Sequence, residues 1–242
     1  PPAAFLRTMC TSLRSALFLL LVPGMVHAQD PDRQRPFQGR QSTLGGGLVL
    51  NVPIGDFNQV WGRNFVGFGA NFTTPARFLP FDYGFNFAYA VMGQHGARVN
   101  VPQGNLGIQE GELTVKSRLF GYMGQVRLRP INGRVSPYVE GMFGLRQFST
   151  RSGLDMDGST DPVTYDRKAN AWTGTYGWAV GTLVGFGPQF YVEGRVERLI
   201  GGRVSYVDPT SITISDAGEV NYGTLSSATD VVNVIVGVGL RF

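Results

Sequence analysis

The stretch that decides the fold is VVNVIVGVGLRF, residues 231–242. Read at the two-residue period of an extended chain, Val232, Val234, Val236, Val238, Leu240 and Phe242 share one face. Asn233, Ile235, Gly237, Gly239 and Arg241 share the other. The first face demands an apolar medium, and the second is mostly small or polar. Such a strand needs either a protein core or lipid against its apolar side, and the rest of the chain decides which.

Working outward, the same period recurs from Thr43 onward. In FDYGFNFAYAVM (81–92), Phe81, Tyr83, Phe85, Phe87, Tyr89 and Val91 alternate with Asp82, Gly84, Asn86, Ala88 and Ala90. In NAWTGTYGWAVGTLVGFG (170–187), Trp172, Tyr176, Trp178, Val180, Val184 and Phe186 alternate with Thr173, Thr175, Gly177, Ala179, Gly181 and Gly185. LGGGLVLNV (44–52) obeys the same rule, and NFVGFGANF (64–72) obeys it except at Phe65. Three further candidate strands carry charge on the small face: ELTVKSRLFGYMGQVRL (112–128), SPYVEGMFGLRQF (136–148) and QFYVEGRVERL (189–199). In the first of these the apolar set changes phase between Leu119 and Phe120, which predicts a bulge near Leu119. Eight strands are therefore expected, at 43–53, 61–72, 81–93, 112–129, 135–148, 171–187, 189–199 and 231–242.

Composition supports an all-β reading. Glycine supplies 34 of 242 residues, roughly twice the usual share, without the period of collagen or the serine runs of a linker. The net charge of +4 is dispersed, so nucleic acid is not an expected partner. The single cysteine, Cys10, excludes an intramolecular disulfide and a cysteine-rich metal site. At the N-terminus, Arg14, the apolar run SALFLLLV and the small residues of VHA have the form of a secretory signal, with cleavage expected after Ala28 and Met9 as an alternative start. Residues 29–42 are polar, proline-bearing and aperiodic and read as a flexible periplasmic extension, leaving 43–242 as one domain.

Long connections follow the third, fifth and seventh strands and short ones the fourth and sixth, with Asn132-Gly133 a hairpin signal in one of the short ones, and only the connection after the first strand, about as short as that after the second, blurs the alternation. An up-and-down antiparallel barrel gives this alternation directly. The aromatic face is too continuous to fit inside eight strands, whose interior is only wide enough to be filled by side chains. The aromatics therefore belong in lipid and the glycines in the lumen. Phe72, Phe81, Phe186, Phe190 and Phe242 fall at the short-turn ends, and Trp61, Tyr89, Trp172 and Tyr176 toward the long loops, as two interfacial girdles require. The expected fold is an eight-stranded antiparallel transmembrane β-barrel.

On these residues the chain resembles the small outer-membrane β-barrel proteins of diderm bacteria, of the OmpA-type transmembrane domain and the OmpX-like kind. The resemblance implies location in the outer membrane and an assembly signal in the last strand, read by the barrel-assembly machinery, onto which Gly237, Leu240 and Phe242 fall while Val236 replaces the usual polar residue.

The lumen face gathers Asp82, Glu140, Glu193 and Glu197 with Lys116, Arg118, Arg127, Arg146, Arg195 and Arg241, an expected polar plug of paired charges with glycines making room for the arginines. No cofactor is indicated, and catalysis finds little footing. His27 lies in the signal segment and His95, placed at a loop rim, has no serine at a matching short spacing. Asp155, Asp157 and Asp161 are the candidate calcium ligands of an acidic loop, and the long loops as a group are the natural site for an extracellular partner. The expected role is structural or interactive in the envelope, for a monomer in contact with outer-membrane lipid and lipopolysaccharide. A narrow solute channel is the alternative, and an outer-membrane hydrolase a distant third.

Overall fold

The computed structural model describes residues 40–242 apart from 77–78, 103–107, 157–163, 208–210, 212, 215–219 and 222. The signal segment and most of the N-terminal extension lie outside the described residues. The strands are β1 (Thr43–Pro53), β2 (Phe65–Pro75), β3 (Phe81–Pro102), β4 (Ile108–Leu128), β5 (Val135–Met156), β6 (Thr164–Phe186) and β7 (Phe190–Gly201), then β8 (Arg203–Val207), β9 (Thr213–Ile214), β10 (Val220–Asn221), β11 (Thr224–Ala228) and β12 (Val231–Arg241). Eight of them close in the order β1-β12-β7-β6-β5-β4-β3-β2, every neighbour antiparallel. The last connection carries two small hairpins, β8 with β11 and β9 with β10.

Closure falls to the segment whose alternation was clearest. Strand β12 pairs with β1 from Val231↔Pro53 to Arg241↔Thr43, and Ser42 and Phe242 exchange two further backbone hydrogen bonds at 2.9 and 3.0 Å. Glycines meet across this seam, Gly45↔Gly239 and Gly47↔Gly237. A Cβ at Gly47 would run into the backbone of Val236 and Gly237, so the seam closes because both partners are bare.

The exterior is apolar: Val236 (63% exposed), Val238, Phe143 (65%), Tyr176, Trp172 and Trp178 all point away from the lumen. On β4 the outward set from Phe120 to Leu128 covers about 27 Å of strand, or about 20 Å along the barrel axis at the usual tilt. That is close to the roughly 25 Å apolar band of a membrane barrel. Phe72 and Phe242 stack at the short-turn rim with centroids 6.5 Å apart, and Tyr122 stacks on Trp172 at 6.0 Å toward the other end.

Several sequence expectations are corrected here. Residues 61–64 do not extend β2. A one-and-a-half-turn helix, α1 (Asp56–Trp61), precedes it, entered through Gly55 and left through Gly62, both at positive φ. Trp61 therefore leaves the outer girdle and is buried. Strands β3 to β6 run further toward the long-loop end than expected, because above the membrane both faces of a strand meet polar surroundings and the hydropathy alternation that marks it fades. His95 consequently lies within β3, opposite Val115, rather than in a loop. The bulge is also displaced. Strand β4 keeps one phase throughout, with Val115, Leu119, Met123 and Arg127 all buried, and the register shifts in β3 between Val91 and Gly93 instead.

Candidate functional site

Because β4 keeps its phase, Arg127 points inward and Lys116 and Arg118 point outward. The lumen charges thus divide. The structure brings Arg127, Glu140, Glu193, Arg195 and Glu197 together at mid-barrel, and Lys116 and Arg118 are corrected to the outer face. The sequence assigned those two inward by continuing the phase of Thr114, but Leu119 and Met123 claim the lumen at that level.

The mid-barrel cluster is densely paired. Arg127 donates through Nε to Glu140 at 2.8 Å and through Nη2 to Glu193 at 3.2 Å. Arg195 reaches the other oxygen of Glu140 at 3.0 Å and also pairs with Glu197. Tyr138 donates its hydroxyl to Glu193 while its ring lies 3.9 Å beneath the Arg127 guanidinium. Asn71 donates to Glu193 at 2.9 Å and Asn233 to Glu197 at 3.0 Å, so the carboxylates are held from β2 and β12 as well as from β4 and β5. All of these side chains are buried, and such charges persist in a low-dielectric interior only when paired and hydrogen-bonded.

Toward the short-turn end a second set follows. Asp82 lies between Arg129 at 3.2 Å and Arg40 at 3.5 Å, and Arg40 also donates to the carbonyl of Arg129. Neither Arg129 nor Arg40 is among the expected lumen charges: Arg40 lies ahead of the first expected strand, and Arg129 is the last residue of the expected strand 112–129, in phase with Arg127. Burial pulls the Arg129 guanidinium down to about 10 against the opposing pull of Asp82. Arg241 sits at this rim over the Tyr191 ring, its centroid distance 5.7 Å. Of the glycines expected to make room for arginine, Gly185 does so for Arg241, whereas others make room for tyrosine: a Cβ at Gly45 or Gly239 would strike Tyr191, and one at Gly181 would strike Tyr138.

Toward the long-loop end the lumen charges give way to a mainly apolar and aromatic filling. Phe57 of α1 is fully buried and meets Phe65, Phe148 and Tyr206 edge-on at 6.4, 6.4 and 5.8 Å, and Trp61 meets Tyr206 at 5.8 Å. Leu119, Met92, Met123, Met142, Leu199, Val204 and Val231 complete the cluster. The first and last long connections thus fold inward as an aromatic cap over the charged layer. Arg146 stands between the two layers and donates to the carbonyl of Thr229 at 3.1 Å. Signals for the cap were present in the sequence: Phe65 broke the phase of its strand, and Phe148, Met142 and Met123 shared the phase of the lumen charges. A cavity along the glycine seam, between Asn71, Glu193, Glu197 and Asn233, holds about 10 Å³, room for about one water molecule.

Of the acidic loop, Asp157 and Asp161 lie outside the described residues, and Asp155 stands near the end of β5 opposite Glu112. Gly237, Leu240 and Phe242 take the lumen wall, the lipid face and the short-turn rim in turn.

No protein family matches the chain, nor does any curated protein. Solved structures do. Ail, the attachment invasion locus protein of Yersinia pestis, in complex with the heparin analogue sucrose octasulfate, is 14% identical over 84% of this chain and 98% of its own, with a TM-score of 0.41. OprG from Pseudomonas aeruginosa is 15% identical over 84% and 96%, at 0.43. A major outer membrane protein from Thermus thermophilus is 11% identical over 83% and 99%, at 0.46. The closed ring of eight antiparallel strands with an apolar outer wall is the architecture of a transmembrane β-barrel.

Proposed function

We propose that this barrel is a non-catalytic envelope protein whose lumen is permanently occluded and whose working surface is its outer end. The observation that carries this reading is the two-layer filling of the lumen. A layer of interlocked guanidinium and carboxylate groups around Arg127 lies beneath the aromatic cap centred on Phe57. Opening a path for solute would mean separating buried ion pairs, each break costing about 3–5 kcal/mol, and displacing a fully buried phenylalanine as well. With transport so disfavoured, the parts of the molecule left to act are the extended outer segments of β3 to β6 and the hairpins of the last connection. Single-channel recording in planar bilayers tests the reading. Current traces without discrete openings are expected from the wild-type protein, and stable openings of reproducible size would contradict it.

A further inference from the structure

Lys116 and Arg118, turned outward by the phase of β4, stand on the outer surface beside Arg151 of β5. Lys116 and Arg151 are direct cross-strand partners. Like charges placed opposite one another destabilise a sheet. Among the described residues no carboxylate lies within ion-pair distance of any of the three. Together with Thr114 they line a surface hollow of about 250 Å³. The position of this hollow is defined by register. Among the described side chains the row Tyr89–Phe120–Gln147–Trp172 carries the last outward aromatics, Arg118 stands in the next outward row and Lys116 with Arg151 in the one after. Each outward row adds about 7 Å along a strand, and the headgroup layer beyond the hydrocarbon is about 5–8 Å deep. At the usual strand tilt each row rises about 5 Å along the axis, so Arg118 stands within the layer of lipid phosphates and Lys116 with Arg151 at its outer margin, about 10 Å above the aromatic row at the acyl boundary.

We propose that Lys116, Arg118 and Arg151 form a binding site for the phosphate groups of a phosphorylated glycolipid in the outer leaflet, with Tyr89, Phe120 and Trp172 beneath it against the lipid chains. The proposal rests on the orientation given above, with the long connections outside. The unpaired cations supply charge-assisted hydrogen bonds to phosphate, and the ligand relieves the repulsion between Lys116 and Arg151. A soluble anion would satisfy the same charges, but it would make no use of the aromatic row that adjoins them.

The test uses the full chain refolded into phosphatidylcholine nanodiscs that also contain either bis-phosphorylated lipid A or its dephosphorylated counterpart. The lipid retained on the protein after transfer to detergent is counted by mass spectrometry. Retention of the phosphorylated form should exceed that of the dephosphorylated form by at least about tenfold, and this preference should fall to within about twofold in the Lys116→Gln, Arg118→Gln, Arg151→Gln triple variant. Equal retention of the two lipids by the wild type, or an undiminished preference in a folded triple variant, would overturn the proposal. Complete displacement by excess inorganic phosphate would also overturn it, by assigning the cluster to free anions. If the triple variant fails to fold, Arg118→Gln alone must lose at least about threefold of the preference, and an unchanged value counts against the site. Failure of the membrane-barrel reading itself would show separately, as wild-type protein that neither enters nanodiscs nor changes gel mobility on heating.

Discussion

Arg127 shows how much a single side chain carries in a narrow lumen. It bridges Glu140 of β5 and Glu193 of β7 and lies over the Tyr138 ring, so its loss strands two buried carboxylates at once. Arg127→Leu should destabilise the barrel by about 3–5 kcal/mol, read as the midpoint shift in urea unfolding of the lipid-refolded protein by heat-dependent gel mobility. Tyr138→Phe removes one hydrogen bond to a charged partner and should cost about 1–3 kcal/mol on the same assay. The glycines contribute in a different way. At Gly45 the nearest obstacle to a Cβ is the Tyr191 hydroxyl, and the others within reach are also side-chain atoms. Gly45→Ala should therefore cost about 1–3 kcal/mol in the wild type, and distinctly less in a Tyr191→Phe background, a coupling that a double-mutant cycle measures directly.

At the scale of elements, what could be read from the sequence followed from where each face of a strand sits. Strand β1 and the start of β12 are found where alternation put them, because one face of each is in lipid and the other in a lumen of small or polar groups, which gives the sharpest contrast in hydropathy. The outer halves of β3 to β6 lack that contrast and were read short. The inward phase of β4 was misread for the converse reason: Leu119 and Met123 are apolar and inward, beneath the cap, so the lumen has two characters along its length and no single polarity rule reads both. Helix α1 was hidden altogether, since six residues are too few for a helical period to register. Its role is testable. Phe57→Ala should cost about 3–5 kcal/mol through loss of the cap's central ring, measured by the same unfolding midpoint. The β-ladders lie outside the cap, so the variant should still form a heat-modifiable barrel.

At the scale of the whole molecule, one strand closes the ring. Strand β12 is hydrogen-bonded on both edges, to β1 and to β7, and Phe242 stacks on Phe72 at the rim. Phe242→Ser removes that contact and the aromatic of the proposed assembly signal. It should reduce the amount of protein accumulating in the outer membrane, as measured by fractionation, by more than it reduces the unfolding midpoint of the molecules that do insert. The three tryptophans give the most direct test of the arrangement as a whole. Trp172 and Trp178 point outward, 51% and 49% exposed, and Trp61 is enclosed by the cap at 9%. Single-tryptophan proteins, made by replacing the other two with phenylalanine and refolded in bilayers of brominated phosphatidylcholine, report which rings touch acyl chains. Strong quenching of Trp172 and Trp178 with Trp61 protected is the result this structure predicts; quenching of Trp61 with Trp172 and Trp178 shielded would contradict it, because the aromatic face would then lie inside the protein rather than in lipid.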